Sequence, residues 1–103
     1  MEHFARRNAL FGNLMSVYVD DMQPCIRNRY WRYNQVCHLV ADTPRELHIF
    51  ARRLSLSGAW FQNKTVPHYD LTINKRRQAV KLGAVEIDRK LLVQKIREQR
   101  STL

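Results

Sequence analysis

Short alternating apolar segments and longer segments with helical spacing follow one another along this chain. In "MSVYVDD", Val17 and Val19 share one face of an extended segment and Tyr18 takes the other, so a strand is predicted that ends at Asp20 and Asp21. "QVCHLVAD" is apolar on both faces apart from His38, the pattern of a strand buried within a sheet. "TPRELHIFARRL" has Thr43 as N-cap, Pro44 at the first helical position and Glu46 three residues after the cap, a capping box. Leu47, Phe50, Ala51 and Leu54 then repeat at helical spacing, and Ser57-Gly58 is read as the stop. "WFQNKTVP" reads as a loop and "HYDLT" as a third short strand, with Pro67 setting its entry. "INKRRQAVKL" is predicted as a helix capped by Thr72 or Asn74 and terminated by Gly83. "GAVEI" is a fourth strand, and Asp88 caps a last helix in which Leu91, Leu92 and Ile96 form the apolar stripe.

Strands separated by helices imply crossover connections. The fold expected is therefore α/β: one small domain over residues 15–103, with a short, mostly parallel sheet of about four strands and three helices. Residues 1–14 read as an N-terminal extension, and Met22 to about Asn34 as a long loop holding Pro24 and the cluster "RNRYWRY".

The blocks "MSVYVDDM", "HLVADTPRELHIFARRL", "WFQ" and "PHYDLTINKRRQAVKLGAVEI", in that order and spacing, resemble a family of short bacterial and phage proteins, domain of unknown function 4031, over residues 15–87. The resemblance implies the same fold and a phage or prophage setting; it brings no reaction with it.

Composition narrows the class. With 103 residues, 45% of them hydrophobic, and only three Gly and three Pro, the chain is globular and has room for one modest core. No apolar run approaches the roughly 20 residues of a membrane span. The N-terminus lacks an apolar signal core, and Cys25 and Cys37 match neither a zinc motif nor a disulfide framework, so a cytoplasmic setting with reduced thiols is expected. The net charge of +9 is uneven: residues 72–103 carry nine basic and three acidic side chains, residues 1–42 five and four. Such a balance suits phosphate backbones or an acidic protein surface.

The candidate chemistry falls into three groups. In a parallel sheet Asp20, Asp21 and Asp42 would gather at the carboxyl ends of the strands, where oxygen ligands could hold Mg²⁺ or Mn²⁺. Asp20, Asp42 and Asp70 with His68 are then candidate catalytic groups for a phosphodiesterase or nuclease. His48 and Arg52, four apart on one helix face, join His68, Tyr69, Asp70 and Arg76 as a candidate polar pocket, whereas His38 reads as a packed strand residue. Arg27, Arg29 and Arg32 among Tyr30 and Trp31, with Lys75, Arg76, Arg77 and Lys81, are candidate contacts to nucleic acid, arginine reaching phosphates while rings stack on bases.

The chain contains no GxSxG, P-loop, GxGxxG or HExxH motif, which removes the commonest hydrolase and nucleotide-binding frames. The leading expectation is a protein that binds nucleic acid and requires no cofactor. Its rivals are the metal-dependent phosphodiesterase and a phage accessory protein that grips an acidic host protein through "RNRYWRY", whose residue types are those of binding hot spots.

Overall fold

A computed structural model describes residues 16–64 and 66–101; the expected N-terminal extension lies outside them. Strand β1 (Val17–Val19) and the two-residue β2 (Gln23–Pro24) both pair antiparallel with β3 (Gln35–Ala41). They act as one interrupted strand, broken at Asp20, Asp21 and Met22, that turns back through residues 25–34. No helix separates β2 from β3, and a return without a crossover can only be antiparallel.

Helix α1 (Pro44–Arg53) leads to a 3₁₀ turn (Gly58–Trp60) and a second two-residue strand, β4 (Phe61–Gln62). Strand β5 (His68–Leu71) then inserts between β4 and β3, antiparallel to both. Helix α2 (Ile73–Lys81) carries the chain to β6 (Val85–Glu86), which joins the far edge of β1, and helix α3 (Arg89–Ser101) follows. The order is β4-β5-β3-β1-β6, and among the described residues β1–β6 is the parallel pairing.

The α/β class and three helices stand, but the sheet is mixed, six-stranded and mostly antiparallel. The three helices form in the segments the sequence assigns to them, α1 with an earlier end; what the sequence pattern misses are the two-residue strands β2 and β4, too short to show alternation. Each supplies a hairpin-like return, so a helix between strands no longer implies a parallel neighbour.

The sheet has two unlike faces because side chains alternate. Val17, Val19, Cys37, Leu39, Tyr69 and Leu71 point to one side and pack with Leu47, Phe50, Ala51, Leu54 and Ala79 of α1 and α2. Tyr18, His38, Val40, Gln62, His68 and Asp70 are the alternate residues and occupy the opposite face. There α3 supplies Leu92 and Val93 beside Val40.

Local capping follows the sequence. Thr43 accepts from the Glu46 backbone N–H at 3.2 Å, and its hydroxyl donates to Glu46 Oε1 at 2.9 Å. Glu46 Oε2 also accepts from the Ser16 backbone N–H at 3.3 Å, tying the start of α1 to the approach of β1. Thr43→Ala should therefore destabilise the protein by about 1 kcal/mol, read as a lower urea midpoint at unchanged m-value. Thr72 caps α2, Gly83 ends it at φ 113°, and Asp88 caps α3 by accepting from the Leu91 N–H at 2.8 Å. Helix α1 stops earlier than expected, with Ser55 in the left-handed region at φ 56°, ahead of Ser57-Gly58.

Candidate metal centre

His68 and Asp70 are two apart on β5, so the pleat places both on the face away from α1 and α2. His38 is the register partner of Asp70 on β3, which brings a second imidazole beside the pair. One ligand atom from each of His38, His68 and Asp70 lies within 4.8 Å of the other two. The two imidazoles meet edge to face with ring centroids 5.0 Å apart. His68 Nε2 is 3.5 Å from Asp70 Oδ1. An ion with donors at about 2.1 Å sets them roughly 3–4 Å apart, so that spacing already fits and side-chain rotation closes the rest.

Both imidazoles are oriented by what their other nitrogen touches. His68 Nδ1 lies 2.9 Å from the Val66 carbonyl oxygen, which can only accept, so Nδ1 carries a proton and the neutral ring has its lone pair on Nε2. His38 Nδ1 lies 2.9 Å from Asp20 Oδ2, and the same reasoning leaves its lone pair on Nε2. A histidine whose Nδ1–H is held by a carbonyl or carboxylate is the usual form of a metal-binding histidine.

Asp20 does more than orient one ring. It sits in the break between β1 and β2, across from His38, where its backbone N–H donates to the His38 carbonyl at 3.4 Å while its own carbonyl is taken by Arg76. Asp20 Oδ1 accepts the His38 backbone N–H at 2.6 Å, so one fully buried carboxylate replaces a ladder bond and aims the ring. Arg76 closes the same corner, its Nε donating to the Asp20 carbonyl at 2.8 Å and its Nη1 to Glu86 at 3.1 Å.

The triad lies in a cleft of about 650 Å³ whose walls include Asn28, Tyr30, Trp31, Trp60, Gln62 and Lys64. Trp31 is buried, edge-on to Trp60 at 5.1 Å, and its Nε1 donates to the Gln35 carbonyl at 3.0 Å. Tyr30 stays exposed at the rim. The His68 imidazole is pulled down by burial, but the Asp70 carboxylate and the Val66 carbonyl outweigh that and hold its pKa above the ordinary value.

The chain matches the family model described as "Protein of unknown function (DUF4031)" over residues 17–99. It belongs to the DUF4031 family. No curated protein and no solved structure matches it.

In this DUF4031 chain the carboxylate cluster expected at the strand ends does not assemble. Because β1 and β3 run antiparallel, with Val17 opposite Ala41 and Val19 opposite Leu39, Asp20 and Asp42 lie at opposite ends of the pair. Asp42 accepts from the Tyr18 hydroxyl at 3.3 Å, and Asp21 is exposed, 4.0 Å from Arg76. Neither reaches the triad.

The expected polar pocket also divides. Tyr69 points to the helix side of β5, where its hydroxyl meets His48 Nδ1 at 3.0 Å, and Phe61 packs on both rings. Burial raises the Tyr69 pKa, and nearby Arg52 opposes the shift. His48, Arg52 and Tyr69 thus belong to one face, His68 and Asp70 to the other, and Arg76 to the sheet end.

Of the basic candidates, Lys75 donates to the Leu54 carbonyl at 2.7 Å and Arg76 is the corner just described, so both serve the fold. Arg77 donates to Asn74 at 3.4 Å, and Lys81, Arg27, Arg29 and Arg32 are exposed.

His38, Gln62 and Lys64 were not among the candidate site residues. His38 needed the strand register, and β4, which carries Gln62, had no alternation to reveal it.

Cys37 lies on the core face, where burial, aided by the Asp20 charge, pushes its thiol up to about 12. The native protein should therefore yield one modified thiol, half-exposed Cys25, to excess iodoacetamide at neutral pH, and two after denaturation. Mass spectrometry of the alkylated protein reads this directly.

Proposed function

We propose that this protein is a metal-dependent hydrolase of phosphate esters, with the ion held by His38, His68 and Asp70. The observation that carries the reading is the pair of imidazoles whose Nδ1 atoms are both committed to oxygen acceptors, beside a carboxylate on the same sheet face. Two nitrogens and one oxygen favour Zn²⁺ over the Mg²⁺ or Mn²⁺ expected for a carboxylate cluster. Three protein ligands leave further positions on the ion for water and substrate. When bound, the ion would acidify a water molecule and polarise the phosphoryl oxygen.

The chain's own groups do the rest. Lys64 brings positive charge to an esterified phosphate, and the Asn28 and Gln62 amides can hold its oxygens or the leaving group. Asp20 keeps the His38 ring fixed in position and tautomer. Two histidines and a carboxylate also serve iron oxygenases. A cleft open to solvent and lined by Lys64 and amides suits water as the co-substrate better.

The test is calorimetric titration with Zn²⁺, Mn²⁺ and Mg²⁺, followed by hydrolysis of bis(p-nitrophenyl) phosphate with and without chelator. One equivalent of Zn²⁺ or Mn²⁺ bound, and hydrolysis that stops with chelator, is the expected result. No ion bound at millimolar concentration ends the proposal. A bound ion with no hydrolysis, but with O₂ uptake in the presence of Fe²⁺, reassigns the centre to oxygen chemistry.

A further inference from the structure

Resting on the hydrolase reading, we infer that the substrate is a single-stranded nucleic acid that runs through the site and is cut internally. The triad is not at the bottom of a closed pocket. The aromatic cleft of about 650 Å³ and a second cavity of about 360 Å³ share His38, Lys64 and His68, so the two meet over the proposed ion site. The second cavity continues over Val40 and Val66 to Arg89, Leu92 and Val93 of α3. A third, of about 540 Å³, shares Arg89 and Val93 and extends to Lys90 and Arg97. Arg89, Val93 and Arg97 are spaced four apart and form one stripe of α3.

The resulting track has different chemistry on its two sides. Before the triad, exposed Tyr30 and half-buried Trp60, the latter braced edge-on by buried Trp31, offer ring surfaces, and a stacked base gains about 1–3 kcal/mol in such sites whatever its identity. Beyond it, Arg89, Lys90 and Arg97 offer cations over an apolar floor. Among the described residues, Asp70 is the acidic side chain lining any of these three cavities, and it is assigned to the ion. A groove with unpaired-base platforms on one side of the reaction centre and phosphate contacts on the other fits a strand passing across it. A mononucleotide or a protein phosphomonoester would leave one side empty. A duplex keeps its bases paired and stacked, out of reach of the rings that unpaired bases can stack on.

The step is a hydrolysis with no redox partner. A water oxygen forms a bond to phosphorus, and the ester P–O bond breaks. The oxygen that leaves takes a proton, so one strand becomes two, one ending in a phosphate and the other in a hydroxyl.

The experiment uses the full chain loaded with Zn²⁺ or Mn²⁺, and circular single-stranded DNA, circular RNA and the linear duplex of the same sequence. Linearised circles, DNA or RNA, support the inference, and which of the two is cut names the sugar. Cleavage confined to free ends, or equal cleavage of duplex, overturns it. Hydrolysis of bis(p-nitrophenyl) phosphate with no cleavage of any nucleic acid also overturns it while leaving the hydrolase reading intact. No hydrolysis of either kind tells against both. As a second measurement, the double variant K90E/R97E should bind a labelled single strand at least about tenfold more weakly and lower the salt slope by one or more. An unchanged slope, with the fold intact by circular dichroism, removes α3 from the track.

Discussion

His68→Ala is expected to abolish measurable binding of the metal ion and to leave the fold in place. Changing an outer partner of a ligand already lowers metal affinity by about 10–100-fold, and removing one of three ligands should exceed that. The side chain lies on the cleft face and contributes nothing to the apolar core between the sheet and α1, so the thermal transition of the metal-free variant should stay within a few degrees of the parent. Calorimetry with Zn²⁺ checks the first half, and a melting curve in chelator the second. Retained affinity would show that the ion, if bound, sits elsewhere.

The same histidine predicts a pH dependence with a defined sign. Its pKa is raised above 6.5 in the folded chain, so the folded state holds this proton more tightly than the unfolded one. In the metal-free protein, that contribution to stability is fully present below about pH 6.5 and is lost as the pH climbs through the raised value. Metal binding runs the other way, because the ion must displace the proton from Nε2. Affinity should rise up to about tenfold per pH unit below the raised pKa and flatten above it. Titrations between about pH 6 and 9 read both trends, and metal-free His68→Ala should lose the stability trend.

Asp20→Asn is expected to damage stability and metal binding together, through one atom. The carboxylate accepts two donors, the His38 backbone N–H at 2.6 Å and the His38 Nδ1–H at 2.9 Å. An asparagine in the same place has one accepting oxygen and one donating nitrogen. If the oxygen keeps the backbone N–H, the amide nitrogen faces Nδ1, and His38 must move its proton to Nε2 to accept. The lone pair that should meet the ion is then lost. Metal affinity should fall about 10–100-fold, as for other changes in a ligand's hydrogen-bond partner. Loss of a buried, charge-assisted hydrogen bond adds a destabilisation of about 1–3 kcal/mol. A destabilised variant that binds Zn²⁺ as tightly as the parent would make Asp20 structural only. Asp20→Ala keeps neither bond and should be the less stable of the two variants.

These two side chains show how differently site residues can be read from sequence. His68 and Asp70 are neighbours at a strand's period, and their shared face is implied by "HYD" itself. Asp20 looks in sequence like a solvated strand end beside Asp21, yet one is fully buried and the other exposed. Only the interruption between β1 and β2 separates their roles, and that break depends on pairing with a strand many residues later.

The local elements were decided by sequence alone, because caps, helical periodicity and strand alternation act over a few residues. Thr43, Thr72, Asp88 and Gly83 occupy the positions their chemistry demands, and Leu47, Phe50, Ala51 and Leu54 form the core stripe of α1. The family assignment and the basic C-terminal third are equally local properties. Strand direction and register were decided by the tertiary structure, through two strands too short to carry a pattern. Antiparallel pairing of β1 with β3 sends Asp42 to the far end from Asp20 and disperses the carboxylate cluster. Pairing of β3 with β5 sets His38 opposite Asp70 and assembles two imidazoles and a carboxylate in its place. A candidate ligand set drawn from two strands about thirty residues apart exists only once the register is chosen, and register follows from the buried face as a whole.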